Sequence, residues 1–405
     1  MSWRDLPLGR VWTAVSKYGL KAGFQDSLAR WSQHRFRKLP DVMGDYEWVL
    51  NQDCPAAKAP GSGPLKINWL VPFVAEASGG LLGIFRAVYQ LEQWGHHNRI
   101  YVVGRSPLNA ERSTELVRKR YFPIKAQIEL FNGRVADSDA LVATLWSTAY
   151  TARRLSNTAR KFYFVQDLEY LFHAPGSVYE FTRQTYRWSF YGITLGRWIA
   201  DVLQNEFGME CSPFGFSYDR KIYSPEGSRC PGQVKQRVLF YARPTTERRG
   251  FELGVLALAL VAKKRPEIEF VLVGFSAGAI QLPFRAVLPG IVSPSELAVW
   301  YRSSTLALVL SHTNLSLLPL ELMACGCPVV SNTGPNVEWL LTREITELAA
   351  PTPEALANAI LFLIENEPVR VGKAAAGLAF AQSADWIAEA RKIEAAFYQG
   401  LNTTP

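Results

Sequence analysis

The sequence predicts an α/β protein of two doubly wound, Rossmann-like domains facing a central cleft. Three observations predict it. The chain has 405 residues and 48% hydrophobic content, more than one ordinary core needs, so two domains are expected. Short apolar runs alternate with segments of helical periodicity, the pattern of a parallel sheet covered on both faces. That alternation lapses once, into Gly, Pro and Ser around Phe214–Gly232, and then begins again.

The first cycle follows NQDCPAAKAPGSGP (Asn51–Pro64), whose Pro, Gly, Ala and Ser content is that of a linker. LKINWLV (Leu65–Val71) is a nearly continuous apolar run, as a buried parallel strand requires. The loop PFVAEASGG (Pro72–Gly80) leads into a helix over Leu81–Trp94, with Leu81, Ile84, Phe85, Val88 and Leu91 on one face and Gly95 as its stop. Arg99–Val103, Leu141–Leu145 and Phe162–Val165 read as strands, and Trp198–Phe207 as a helix. In the second cycle Val238–Tyr241 and Phe270–Val273 are strands, with the helix Gly250–Lys263 between them. Ser293-Pro294-Ser295-Glu296 is a capping box with Pro at the first helical position. Leu306–Leu310 and Pro328–Ser331 are strands around a helix over Leu318–Ala324, Thr352-Pro353-Glu354 starts another helix, and Ala384–Tyr398 forms the last. The expected domains are therefore 1–64 (extension and linker), 65–215, 216–385, and a terminal helix and tail, 386–405, returning to the first domain.

Composition narrows the function. The net charge is +8, and Met1–Lys38 carries eight basic residues against Asp5 and Asp26, interleaved with Trp3, Trp12, Tyr18, Phe24, Trp31 and Phe36. Basic charge with Trp and Tyr suits an anionic membrane surface; the alternative is an extension that packs its aromatics on the body. No nucleic-acid motif accompanies it, so nucleic acid is not expected as a partner. The apolar runs are too short to span a bilayer, and Met1–Leu20 has no secretory pattern. The five cysteines are irregularly spaced, with no Cys-x-x-Cys and no His-Glu-x-x-His. A reduced, cytoplasmic protein without a metal site is expected, peripheral at the inner face of the membrane.

Ligands in doubly wound sheets bind beyond the carboxyl ends of the strands, so the loops there carry the chemistry. Ser78-Gly79-Gly80 opens a helix, where free N–H groups and a partial positive charge suit a phosphate; a plain tight turn is the alternative. No complete G-x-G-x-x-G is present, which argues against a dinucleotide-dependent dehydrogenase. YARPTTERRGFELG (Tyr241–Gly254) places Arg243, Arg248 and Arg249 before a helix with only Glu247 to balance them. Guanidinium groups clustered there suit a diphosphate through bidentate, charge-assisted bonds. Glu321 lies in the otherwise apolar PLELMACGCPVV, and a carboxylate there needs a partner, either a sugar hydroxyl or the helix dipole. Gln166, Asp167 and Glu169 follow a strand at the cleft face; Asp167 is a candidate general base toward an acceptor hydroxyl, or a local cap. His96 and the cysteines of Ala324–Pro328 read as structural.

PLELMACGCPVVSN resembles the P-L-x-x-E-A-x-A-x-G-x-P-V-V signature of family 4 of the retaining glycosyltransferases, whose fold is called GT-B. Tyr241–Gly250 resembles that family's G-R…K-G segment, and Ser78–Gly80 its Gly-Gly loop; the resemblance runs from about Leu65 to Trp386. It is closest to the rhamnosyltransferase branch, through FVQDLEYLFHAPGS, YGITLGRWIADVL and ARPTTERRGFELG. The resemblance implies a nucleotide-sugar donor, dTDP-L-rhamnose in that branch, a cell-surface polysaccharide or lipid-linked glycan acceptor, and transfer with retention. It implies donor contacts at Gly79, Gly80, Arg243, Arg249, Gly274, Thr313, Leu317 and Glu321, with Arg243 and Arg249 neutralising the diphosphate and Glu321 accepting from a nucleoside hydroxyl. Gln166 and Glu169 are expected toward the acceptor. Arg248 has no family counterpart and is read as a surface neighbour. One position departs from the pattern: the family's Glu-x7-Glu pair would put its first Glu at position 313, which is Thr. A deoxysugar without a 6-hydroxyl needs fewer polar partners, which fits rhamnose. Two other readings stay open: an inverting enzyme with Asp167 as its base, and a non-catalytic glycan-binding or scaffolding member.

Overall fold

A computed structural model describes residues 41–50, 54, 59, 61, 63–76, 78–104, 106–230, 236–275 and 281–402. The basic aromatic stretch of residues 1–40 and most of the 51–64 linker lie outside the described residues. Residues 41–50 belong to a unit of their own. It contains the short helix α1 (Val42–Tyr46), whose cap Asp41 accepts from the Gly44 amide at 3.0 Å, and a 3-10 turn over Glu47–Val49.

The larger unit, Asp53–Pro405, holds both sheets. Strands β1 (Lys66–Val71), β2 (His97–Val102), β3 (Gln127–Leu130), β4 (Ser138–Ala143), β5 (Thr158–Val165), β6 (Tyr191–Leu195) and β7 (Cys211–Phe214) form the first. It is parallel throughout, in the order β3-β2-β1-β4-β5-β6-β7. Its helices are α2 (Gly79–Gln93), α3 (Ala110–Arg120), α4 (Trp146–Arg154), α5 (Ser177–Thr185) and α6 (Arg197–Phe207). Every residue of β4 and β6 is buried, as expected of strands covered on both faces.

The second sheet comprises β8 (Arg237–Tyr241), β9 (Glu269–Val273), β10 (Ala286–Gly290), β11 (Leu306–Val309), β12 (Val329–Asn332) and β13 (Thr346–Ala349). It too is parallel, in the order β10-β9-β8-β11-β12-β13. Helices α7 (Phe251–Lys264), α8 (Pro294–Arg302), α9 (Leu318–Ala324), α10 (Pro335–Glu338), α11 (Pro353–Glu365) and α12 (Glu367–Ser383) follow its strands. The last helix, α13 (Trp386–Leu401), packs against β5, β6, β7 and α2 of the first sheet. Phe397 wedges there between Trp69 and Phe162, with ring centroids 6.0 and 4.9 Å away. His96 serves this junction: Nδ1 accepts from the Leu65 amide at 3.1 Å and Nε2 lies 2.9 Å from Glu394 of α13.

Strand order reverses once in each sheet, between β1 and β4 and between β8 and β11. These are the switch points where doubly wound sheets bind ligands. The three loops singled out from the sequence follow β1, β8 and β11, so they lie there. Where element boundaries differ from the periodicity, capping and polarity explain it. Helix α2 starts at Gly79, ahead of its first apolar residue, because Ser78 caps it by accepting from the Leu81 amide at 3.3 Å. The strand expected at Leu141–Leu145 is β4, Ser138–Ala143, and Leu145 instead starts α4. Helix α3 carries little apolar signal because only Ser113 and Val117 are buried on it.

Candidate donor site between the two lobes

The turn after β8 is shaped by two glycines. Gly274, at φ +103°, would bring a Cβ to 3.0 Å from the Ala242 carbonyl oxygen. Gly250 starts α7 in the left-handed region at φ 58°, and a Cβ there would meet His312 Nε2 at 3.0 Å. Both positions favour glycine for conformation and space. The three arginines of this turn have different settings. Arg243 is exposed, 6.0 Å over the Tyr241 ring, and its side chain makes no hydrogen bond or ion pair with a described residue. Arg249 points inward: its NH1 donates to Ser311 Oγ at 2.6 Å and to the Asn314 carbonyl at 3.0 Å. Burial lowers its pKa to about 10, opposed by Asp167 and reinforced by Arg248 and Arg243, so it stays charged at neutral pH.

Arg248 is not the surface neighbour expected from the sequence. Its guanidinium lies 4.0 Å over Phe172 of the first lobe, and its Nε is buried, 3.9 Å from Asp167 Oδ2, with no hydrogen-bond acceptor. It spans the two lobes.

The loop after β11 binds the lobes together. Thr313 Oγ1 donates to Asp167 Oδ2 at 2.7 Å, and the Asn314 amide donates to Asp167 Oδ1 at 2.9 Å. Asn314 Nδ2 donates to the Gln166 and Leu195 carbonyls at 3.1 and 2.8 Å, while its Oδ1 accepts from Trp339 Nε1 at 3.1 Å. The Leu168 amide also donates to Asp167 Oδ1, at 2.9 Å. Burial raises the Asp167 pKa, and the Asn314 and Thr313 hydrogen bonds oppose the rise. Thr313 is 1% exposed. The pair Thr313–Asp167 thus sits at the lobe junction, and an acceptor hydroxyl would reach Asp167 Oδ2 by displacing Thr313.

On the first lobe, Gly79 and Gly80 are exposed at the start of the 15-residue α2. Gln166 Nε2 donates to the Gly80 carbonyl at 3.1 Å, so Gln166 ties the glycine loop to the loop after β5 that also carries Asp167. Glu169 faces inward, 5% exposed, with Oε2 accepting from the Trp146 amide at 2.6 Å and the Tyr163 hydroxyl at 3.1 Å. Burial raises its pKa to about 8, against the pull of those two donors. Its carboxyl is engaged with the fold rather than open to the cleft.

Glu321 lies in the first turn of α9, its amide donating to the Leu317 carbonyl at 3.1 Å. Burial raises its pKa to about 7; the Tyr223 hydroxyl and Arg86 pull it down, and Asp219 pushes it up. Sequence reasoning missed Arg86, Tyr223 and Asn314. Arg86 interrupts an otherwise apolar helix face, which was its one signal; Asn314 gave none, because only the meeting of the lobes makes it matter, and Tyr223 gave none, because only the folding of the second lobe brings it near Glu321. Among the described residues no group of three His, Cys, Asp or Glu side chains could hold a metal, and no helix is long and apolar enough to cross a membrane.

Two parallel Rossmann-like sheets with their switch points joined at one cleft define the GT-B fold. Solved structures agree. Sucrose-phosphate synthase from Thermosynechococcus elongatus superposes with a TM-score of 0.62 at 14% identity, covering 82% of this chain and 98% of that one. HepE from Anabaena, in complex with UDP and glucose, does so at 0.61 and 15% identity, covering 83% of this chain and 100% of that one. Residues 236–361 match the family described as WsaF, C-terminal domain. The chain is also 35% identical over 237 residues to the O-antigen biosynthesis protein RfbC of Myxococcus xanthus, a stretch covering 57% of this chain and 18% of that protein.

Proposed function

We propose that this chain is a glycosyltransferase of cell-surface polysaccharide synthesis that takes a sugar from a nucleoside-diphosphate donor held between its lobes. The observation that carries the reading is the arginine cluster at the β8 switch-point turn, on the opposite lobe from the exposed Gly79-Gly80 helix start. Arg243 offers an unengaged guanidinium and Arg249 a second charge behind it. Such preorganised charge acts most strongly as the diphosphate leaves. Glu321 accepts from a nucleoside hydroxyl, with Leu317 and Gly274 lining the donor. RfbC, described as an O-antigen biosynthesis protein, supports a glycan acceptor, which Gln166 borders. Retention is the simpler course: a donor phosphate oxygen takes the acceptor's proton, and Asp167 keeps Thr313. The inverting course would first break that bond, so product anomer analysis separates the two. Donor hydrolysis or transfer by the purified chain excludes a purely scaffolding role.

The donor sugar we propose is L-rhamnose, from dTDP-L-rhamnose, on the three rhamnosyltransferase-like segments and on Thr313 in place of a carboxylate. HepE was solved with UDP-glucose, which makes UDP-glucose the comparison donor. In a thermal-shift and calorimetric panel, dTDP-L-rhamnose should bind more tightly than UDP-glucose or GDP-mannose. A ligand at a hundred times its Kd stabilises by about 2.7 kcal/mol, well within reach of the assay. Preference for a UDP or GDP sugar would overturn the rhamnose assignment alone; no response to any nucleoside diphosphate would overturn the donor site.

Peripheral contact with an anionic membrane rests on the basic and aromatic residues of 1–50. Removal of Met1–Asn51 should abolish binding to anionic liposomes and leave a folded core. Equal sedimentation of the truncated and full chains with such liposomes would sink this proposal.

A further inference from the structure

Asn314, fully buried in the loop after β11, meets both the cation proposed to act on the donor and the carboxylate that faces the acceptor side. Its carbonyl accepts from Arg249 NH1 at 3.0 Å, and its backbone amide donates to Asp167 Oδ1 at 2.9 Å. The side chain has a different task. Nδ2 donates to the carbonyls of Gln166, just after β5, and of Leu195, the last residue of β6, at 3.1 and 2.8 Å. Only the amino half of an amide can meet two carbonyls. Trp339 of the second lobe enforces the same orientation from the other side: its indole Nε1, a donor only, bonds Oδ1 at 3.1 Å. Both N–H bonds of Nδ2 are taken, so the side chain has no donor left for a substrate.

Trp339 is itself seated on the first lobe. It follows the short helix α10 and stacks on Phe216 of the segment between the lobes, 5.7 Å and 29° apart. Its ring rests on Gly196, the residue after β6. A Cβ at Gly196 would lie 2.5 Å from Trp339 Cζ2, and the backbone there has φ +98°, so space and conformation both call for glycine. Leu195 and Gly196 are neighbours, so the Asn314 amide and the Trp339 ring grip one turn of the first lobe from two sides.

We infer that Asn314 and Trp339 are positioning residues that fix the register of the two lobes and so set Asp167 against the arginine turn. The groups so positioned take their roles from the proposed function, on which the catalytic part of the inference rests; the contact between the lobes does not depend on it. A register error of about 1 Å between reacting groups can cost a hundred-fold in rate, which is the scale on which this pair should act.

The test combines small-angle scattering of the full chain with nucleotide binding and donor turnover. Asn314→Asp keeps the shape but offers the two carbonyls at most one of the two donors they need, so the lobes should part and the radius of gyration rise. Turnover of the donor, by hydrolysis or transfer, should fall about a hundred-fold, while UDP and dTDP, held by the second lobe, keep their wild-type Kd. A general loss of fold would take binding with it. Trp339→Phe keeps a ring on Gly196 and loses the indole donor, so it should lie between wild type and Trp339→Ala in scattering and in turnover. A folded Asn314→Asp chain with the wild-type radius of gyration overturns the inference, as does an equal loss of nucleotide binding and turnover. Should Asn314→Asp not fold, Gly196→Ala takes its place, made both in the wild-type chain and in Trp339→Ala. The added Cβ should widen the first and leave the second near its parent; equal widening in the two overturns the inference. If the wild-type chain binds neither nucleotide, the donor reading fails, and scattering alone judges Asn314 and Trp339.

Discussion

Arg243→Ala should lower kcat/KM by about a hundred-fold or more, the effect typical of removing one preorganised donor from a site of developing charge. The melting temperature should move by no more than about 1–2 °C, as for other exposed positions. The pairing of a large kinetic effect with a silent melt follows from geometry. The Arg243 side chain is exposed and engages no described residue beyond the Tyr241 ring, so the fold loses little with it. In the proposed reaction the donor's diphosphate gains charge as the glycosidic bond breaks, and a group that stabilises that charge acts on turnover as well as on binding. Arg248→Ala is the comparison. It removes a cation stacked 4.0 Å over Phe172 across the lobes, a contact worth about 0.5–2 kcal/mol, so its melt should fall while its kinetic loss stays below that of Arg243→Ala. Steady-state kinetics and melts on the two variants settle the matter. If Arg248→Ala is the crippled enzyme and Arg243→Ala is near wild type, the diphosphate lies toward Phe172 and the assignment of Arg243 fails.

The contrast between these neighbours marks what the sequence could convey. Periodicity located the strands that are apolar on both faces, such as β1, β8 and β11, because a parallel sheet leaves that trace. Gly250 and the capping Ser293 gave local punctuation that survived into the structure. Elements with polar surfaces escaped: α3 buries only Ser113 and Val117, and α12 only Gly377 and Ala381, so neither imposes an apolar period. The loops that lie at the switch points were legible because they follow apolar strands, but the direction of each side chain was not. Arg243, Arg248 and Arg249 lie within seven positions of one another, yet one faces solvent, one crosses to Phe172 and one turns in to Ser311. Asp167 and Thr313 are 146 residues apart in the chain and 2.7 Å apart in the fold. Nothing local in either segment encodes that meeting; it arises from how the lobes face each other, and it is what makes Thr313 a partner of Asp167.

Arg249→Ala should damage both activity and fold. The side chain donates from NH1 to Ser311 Oγ and to the Asn314 carbonyl, and Asn314 in turn carries bonds to Asp167, Gln166, Leu195 and Trp339. Truncation leaves those acceptors short of a donor within the lobe junction. Hydrogen bonds from a charged group contribute about 1.5–3 kcal/mol each, so a loss of about 3 kcal/mol is expected, roughly 3–4 °C in melting temperature for a chain of this length. Arg249 is also a cation acting on Asp167, whose pKa burial already raises. Its removal should raise that pKa further. A carboxyl whose folded pKa exceeds its unfolded value favours the fold at low pH, and that support is lost as pH rises through the folded value. The gap in melting temperature between Arg249→Ala and wild type should therefore be widest at high pH, where Asp167 is ionised in both, and narrow as pH falls and Asp167 takes up its proton. Arg249→Lys retains the charge and should lie between the two at every pH, in melt and in kcat/KM. A gap that stays constant with pH would mean that Arg249 supports the junction through its hydrogen bonds alone, and an Arg249→Ala protein as stable as wild type would remove it from the junction altogether.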